Sequence, residues 1–321
     1  MATHNVRAGD VGEYFIVKKL LGVYRDSYPK SPLGLGDDAA ATAFNGRWLL
    51  LKIDGTSGSR SRYPWLSWAD LGYRVALSAA VDLIAKGATV LGLAVSLGAP
   101  KDFPVRGAVE IVKGVTDLAR ALNSYVFGGD TNSSTTDVWV DVAAVGVADR
   151  VVPATGFKAG DVVRVTSCLG MSAIPAITYY MGLKVDEGLE AILRGEGVRR
   201  PKPPLNFYGV SHHATASTDI SDGLTSLTRF LGKLGLDLLI DGSSIPLCPE
   251  VREFMDTYRV DVKTVLRFLG EEYVVVFTCS EDVERFPKLG RLVEGGGRVF
   301  IDGKEVKGGW DNFLGYLHRC A

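Results

Sequence analysis

The stretch Ser31–Thr42, SPLGLGDDAAAT, sets two carboxylates, Asp37 and Asp38, directly behind a Gly-x-Gly. Glycines at that spacing let backbone approach a phosphate, and paired negative charges beside a phosphate need a reason. Gly34-Leu35-Gly36-Asp37-Asp38-Ala39 has the outline of a dinucleotide fingerprint, but that motif follows a hydrophobic strand, and SYPKSP precedes this one. No Walker A loop is present either. The simplest alternative is an acidic turn, since Asp and Gly are both turn residues.

The same ambiguity recurs along the chain. Asp54 ends the apolar run RWLLLKID and precedes Gly55. Asp82 lies inside WADLGYRVALSAAVDLIAKGA, an almost wholly apolar helix expected to be buried and stopped by Gly87. There it needs either an ion pair with Lys86, four residues on, or a metal. Asp130 follows two glycines in FGGD, where Gly129 lets a ligand come close. Asp219 ends the strand ATASTDIS, and Asp222 is placed to N-cap the helix after it. Each has a bland explanation. Together they gather hard oxygen ligands at strand ends, as Mg²⁺ requires, and divalent ions would let carboxylates and phosphates share a site.

The chain around them has 321 residues, 46% hydrophobic and 23% charged, with a formal net charge of −1. That suits two globular domains and gives no electrostatic case for nucleic acid. No run is long enough to span a membrane, and MATHNVRAGD has no apolar signal region. A cytoplasmic protein is expected. The four cysteines, Cys168, Cys248, Cys279 and Cys320, form no C-x-x-C pair and are read as isolated thiols. GDVGEYFIVKKLLGVY reads as an amphipathic helix with Asp10 as N-cap, and VRGAVEIVKGVTDLARAL as another. LGLAVSLGAP, SYVFGGD and VWVDVAAVGVA read as strands. The pattern pauses at DRVVPATGFKAGD, which puts a domain boundary between 150 and 151. Both parts, 1–150 and 151–321, mix helices and strands, so the fold class is α/β (α+β).

GLGDDAA, the Asp at the end of RWLLLKID, DLGYRVALSAAVDLIAKGA, FGGDT, TDISDGL, LGEEYVVVF and GGWDNF, in that order, resemble the thiamine-monophosphate kinase family of the AIR-synthase-like (PurM-like) superfamily. The resemblance covers nearly the whole chain. It implies a homodimer joined through an N-terminal sheet, a C-terminal domain covering the site, and ATP with Mg²⁺ as cofactors. It also implies phosphorylation of thiamine monophosphate to thiamine diphosphate. Carried over by position, Asp38, Asp54, Asp82, Asp130, Asp219 and Asp222 are metal ligands, and Asp38, Asp130 and Asp222 are central to catalysis. Gly129, Asp130 and Ser221 face the nucleotide; Glu271, Trp310 and Phe313 face the thiamine moiety.

Three positions depart from the family pattern. Lys52-Ile53-Asp54 stands for Ser-Thr-Asp, so Lys52 either brings a positive charge toward the metals or points away, with the Ile53 carbonyl available as a ligand. Ser61 stands for a substrate-contacting His, with Arg60 and Arg62 as neighbouring cations. Ala154 stands for a nucleotide-contacting Arg, leaving Arg150 as the nearest substitute. Other readings are a PurM-like enzyme with a different acceptor, or a non-catalytic nucleotide-binding relative. A selenophosphate synthetase would want an N-terminal reactive Cys, and the first here is Cys168; a carbamoyl dehydratase would end on cysteine, and here Ala321 follows Cys320. The histidines, His4, His212, His213 and His318, fall in no motif and are read as surface or structural.

Overall fold

Thr89–Ala99 and Trp139–Ala148, two of the most apolar stretches of the chain, form the middle of a five-stranded sheet. The computed structural model describes residues 6–281 and 283–316, so His4, His318 and Cys320 lie outside the described residues. The first sheet contains β1 (Ala40–Phe44), β2 (Arg47–Ser57), β3 (Thr89–Ala99), β4 (Tyr125–Ser133) and β5 (Trp139–Ala148). Their order is β1-β2-β5-β3-β4, antiparallel except for the parallel β3–β4 pair. On β5 alternate residues are buried from end to end, as its sequence pattern expects of a sheet with one covered face.

The covering layer is the Trp68–Ala85 helix, with Val105–Ala121 packed against it. Ser67 caps the first helix: its Oγ accepts from Asp70 N while Asp70 accepts from Ser67 N. The two helices cross so closely that a Cβ on Gly72 would collide with Ile111 O, and one on Gly114 with Ala69 O. Trp68–Ala85 is buried on nearly every side, because it also packs against the second half of the chain.

That half is a seven-stranded sheet. It comprises β6 (Val162–Val165), β7 (Ala214–Asp219), β8 (Leu236–Ile240), β9 (Val275–Cys279), β10 (Lys288–Glu294), β11 (Val299–Ile301) and β12 (Lys304–Glu305), in the order β12-β11-β8-β10-β6-β9-β7. The first sheet ends at Ala148 and the second opens at Val162, on either side of the boundary drawn from the sequence. The halves are not separate cores: Phe207, Val275 and Phe277 join the apolar cluster under the first sheet.

Two expectations fail locally. The N-terminal helix, Ala8–Tyr24, forms, but Gly12 at φ 76° breaks its first turns and Arg7 is its N-cap residue; Asp10 lies inside, accepting from Arg7 N. Its apolar residues stay largely open, with Val17, Leu20 and Val23 all exposed. Cys168 and Cys248 are not isolated thiols: they form a disulfide across 80 residues of sequence, while Cys279 is free. The sequence separation hid a pairing that the fold creates by laying Leu169 beside Leu247.

Candidate functional site

The paired carboxylates are held by a cation. Lys86 is fully buried, and its Nζ lies 2.7 Å from Asp37 Oδ1 and 2.8 Å from Asp38 Oδ2, while donating to Ser217 O at 2.6 Å. Asp37 Oδ2 also accepts from Ala154 N. Asp82 therefore does not pair with Lys86. Lys86 is the helix's C-cap and its amide still reaches Asp82 O at 3.2 Å, but its ammonium is taken up by the Gly-Asp-Asp turn and Ser217 O.

Asp82 is met instead by Lys52 on β2, at 2.5 Å, and Lys52 Nζ is also 3.8 Å from Asp54. Of the two arrangements open for Lys52, the inward one is observed. Asp38, Asp82 and Asp219 come together from the turn before β1, the Trp68–Ala85 helix and the end of β7, with one carboxylate oxygen of each within 4.8 Å of the others. Asp38 also meets Arg229 Nη2 at 2.6 Å. Asp219 Oδ1 is buried without a hydrogen-bond partner among the described residues.

The charges are unequally relieved. Burial opposes ionisation of Asp38, but Lys86 and Arg229 override it and hold its carboxyl at about 2. Asp82 is pushed well above the usual range by burial, against Lys52, with Asp219, Asp38 and Asp54 adding repulsion. Burial also raises Asp219 and Asp54, and pushes Asp222 up to about 7 with help from Glu13. A divalent cation fits this set, because it would take hard oxygens, satisfy the orphaned Asp219 Oδ1 and relieve the mutual repulsion.

A cavity opens from the cluster. Lys52, Asp54, Asp82, Asp222 and Arg229 form its acidic end, with Ser221 beside them. Asp222 does not cap a helix; the turn Leu224–Leu227 starts from Gly223 with no side-chain cap. The other end is aromatic: Tyr180, Trp310 and Tyr316 are in mutual ring contact at 5.0–6.1 Å, and Tyr63 lies alongside. Ser61 lines the same space, its Oγ bonded to Thr56 Oγ1. Arg60 lies 5.9 Å over the Trp310 ring and donates to Asn312 O. Arg62 turns the other way, stacking on Trp68 at 4.4 Å and donating to Leu66 O. Glu271 reaches the cavity from a backbone at φ 54°, an uncommon conformation for a side-chain-bearing residue, and accepts from Arg74 Nη2 at 2.7 Å.

Four expected residues are not brought to this cavity. Gly129 and Asp130 are exposed on β4, an edge strand, with Asp130 bonded to Asn132. Phe313 is exposed beyond the rim. Arg150 is exposed and spends its guanidinium on the carbonyls of Ser211 and Ala214, so it braces the two halves and does not reach the cavity. His212 and His213 lie with tilted rings 3.9 Å apart at a separate surface site. Conversely, sequence reasoning missed Arg74, Arg229, Tyr63 and Tyr180. The one signal available was Arg74 itself, the single basic residue in a largely apolar helix.

The family model for AIR synthase related protein, N-terminal domain, matches residues 36–148. The thiamine-monophosphate kinase of Pyrobaculum calidifontis is 33% identical over 273 residues, covering 84% of this chain and 88% of that protein. The enzyme of the same name from Pyrococcus horikoshii is 29% identical over 293 residues, covering 88% and 91%. Among solved structures, AaThiL complexed with AMPPCP and TMP superposes with a TM-score of 0.84 at 25% identity, over 96% of this chain and 99% of that one. With a third of its residues identical to the Pyrobaculum protein over most of both lengths, this chain belongs to the thiamine-monophosphate kinase family.

Proposed function

We propose that this protein transfers the γ-phosphoryl group of ATP to the phosphate of thiamine monophosphate, making thiamine diphosphate with Mg²⁺. The observation that carries this reading is the cavity itself, whose buried carboxylate cluster opens directly onto an aromatic, arginine-bearing wall. A phosphate monoester has a second pKa of about 6, so the acceptor is already largely dianionic and needs no general base. What it needs is relief of anion–anion repulsion and alignment. Mg²⁺ would supply that charge, held by Asp38, Asp82 and Asp219, with Asp54 and Asp222 at the mouth. The family relatives and the AMPPCP and TMP complex support the donor and the acceptor. ATP as donor also supports a cytoplasmic setting; among the described residues no helix is long and apolar enough to cross a membrane.

At the other end, Trp310, Tyr180 and Tyr316 offer ring faces to a thiazolium cation, a contact of about 0.5–2 kcal/mol. Glu271, fixed by Arg74, offers an acceptor for an aminopyrimidine. Arg60 is the cation placed to hold the acceptor's phosphate where Ser61 cannot. Mg²⁺-dependent ADP release on adding thiamine monophosphate tests the whole reading. Nucleotide binding without turnover would favour a non-catalytic relative, and turnover with only another phosphate ester a different acceptor.

The protein works as a homodimer in this reading. The face of the first sheet away from its helices is open and apolar, with Leu51, Ile53 and Leu91 exposed, and Tyr125 and Phe127 exposed on β4. Gly129 and Asp130 lie on that same strand, which is why we assign them to the nucleotide side of the assembled pair. Ile53→Glu should give a monomer by sedimentation and lose activity. A wild type that is monomeric at micromolar concentration and fully active refutes the dimer.

A further inference from the structure

Lys52 stands on β2, where its backbone is fixed by the ladder to Ala144 on β5. From there its side chain, only 25% exposed, enters the cavity and ends between two carboxylates of different elements, 2.5 Å from Asp82 Oδ2 and 3.8 Å from Asp54 Oδ2. Asp82 belongs to the cluster with Asp38 and Asp219, and Asp219 Oδ1 remains buried and unpartnered. The cluster thus has two unlike sides. On one, Asp38, Asp82 and Asp219 present oxygens to a common point. On the other, between Asp82 and Asp54, a positive charge already sits.

We propose that Lys52 is a resident cation of the site: its ammonium takes the place between Asp54 and Asp82 that a divalent ion would otherwise bridge. The site then binds one divalent ion fewer than it would with a neutral side chain at position 52. This rests on the metal-binding reading given above. The physical argument is charge placement. An ammonium on a four-carbon stem reaches the bridging point, donates up to three hydrogen bonds there and neutralises one carboxylate. A divalent ion set at the same point would meet that charge at contact distance, beside the buried Asp82 carboxylate. A covalently tethered cation also needs no external metal concentration to stay in place. Arg229, which approaches Asp38 from the opposite half of the chain, leaves the Asp219 side open and so does not fill the remaining place.

The experiment counts bound Mn²⁺ per full-length chain from the EPR signal of free Mn²⁺, with AMPPCP present, for the wild type, Lys52→Gln and Lys52→Arg. Lys52→Gln should bind one more Mn²⁺ per chain than the wild type, and Lys52→Arg, which keeps the charge, the same number. Thermal melting gives a second readout. Lys52→Gln should melt below the wild type in EDTA and recover more of the difference on adding Mn²⁺. Equal Mn²⁺ counts in the wild type and Lys52→Gln overturn the proposal. Should Lys52→Gln not fold, anomalous scattering from Mn²⁺-soaked wild-type crystals decides. A peak beside Asp219 with none between Asp54 and Asp82 supports the resident cation, and a peak between Asp54 and Asp82 with the ammonium displaced refutes it. In either of those last outcomes ADP release with thiamine monophosphate stands as an independent result. No Mn²⁺ in any variant overturns this inference and the metal-dependent kinase reading together.

Discussion

Removing the Cys168–Cys248 disulfide should cost stability without reshaping the native state. The bond closes a loop across 80 residues of sequence. In the chain-entropy account a loop of that size constrains the unfolded ensemble by about 4.5 kcal/mol. The native ends would stay together without it, because Leu169 N donates to Pro246 O at 2.7 Å and Cys248 N to Leu169 O at 3.0 Å. The loss should therefore fall near the entropic figure, at about 3–4.5 kcal/mol. The assay is urea unfolding of the oxidised wild type, the same protein with dithiothreitol, and Cys168→Ser/Cys248→Ser, followed by a probe in the second sheet. The reduced protein and the double variant should show the same loss, with near-unchanged ADP release at low urea. A double variant within about 1 kcal/mol of the oxidised wild type would refute the reasoning, since either the bond is absent in solution or the unfolded chain is already compact there.

Three further outcomes follow from the site. Asp219→Asn and Asp82→Asn should each lose most activity while keeping the wild-type fold by circular dichroism, and the double variant should be little worse than either, because residues serving one transition state are non-additive. Arg60→Ala should raise KM for thiamine monophosphate roughly tenfold to a hundredfold and leave KM for ATP alone, since a charge-assisted hydrogen bond is worth about 1.5–3 kcal/mol; Arg62→Ala should instead cost about 1 kcal/mol of stability through Trp68 and leave both KM values unchanged. In metal-free protein Asp222, pushed up to about 7, keeps a proton that the unfolded chain has released, so its stabilising contribution is present below about pH 4 and lost as pH rises to 7. Denaturant midpoints in EDTA should therefore fall over that window, less steeply in Asp222→Asn; Asp38, held at about 2, titrates below it, and an equal slope in both proteins would remove Asp222 from the account.

The strands and helices with strong patterning were legible because burial follows pattern. The Trp68–Ala85 helix is largely apolar all round because it packs against both halves of the chain, and β5 alternates because one of its faces is open. The carboxylates were legible as a group through the family resemblance and through their places at strand ends. Their partners were not. Lys52, Arg74 and Arg229 approach from elements distant in sequence, and no local rule links a lysine on β2 to an aspartate 30 residues on. Arg150 shows the opposite failure. It was the nearest cation in sequence to a vacancy in the family pattern, yet the carbonyls of Ser211 and Ala214 lie closer to it in space. Exposed residues on β4 were a third case, since a single chain cannot show what a sheet face meets.

The adjacency of Asp37 and Asp38 has a mechanical reason. Gly36, at φ 83°, lets the chain turn so that the two side chains share one ammonium but diverge beyond it. Asp37 goes to the Ala154 amide at the junction of the halves, and Asp38 goes to Arg229 and the cluster. Lys86, holding both, also donates to Ser217 on β7, two residues before Asp219. One buried ammonium therefore fixes the turn, the junction and the strand that delivers Asp219 in a single arrangement. A lone carboxylate at this turn would leave that ammonium either unneutralised or diverted wholly to structure. With two, one is committed to the junction of the halves and the other to the cluster with Asp82 and Asp219, which is what a site assembled from both halves of the chain requires.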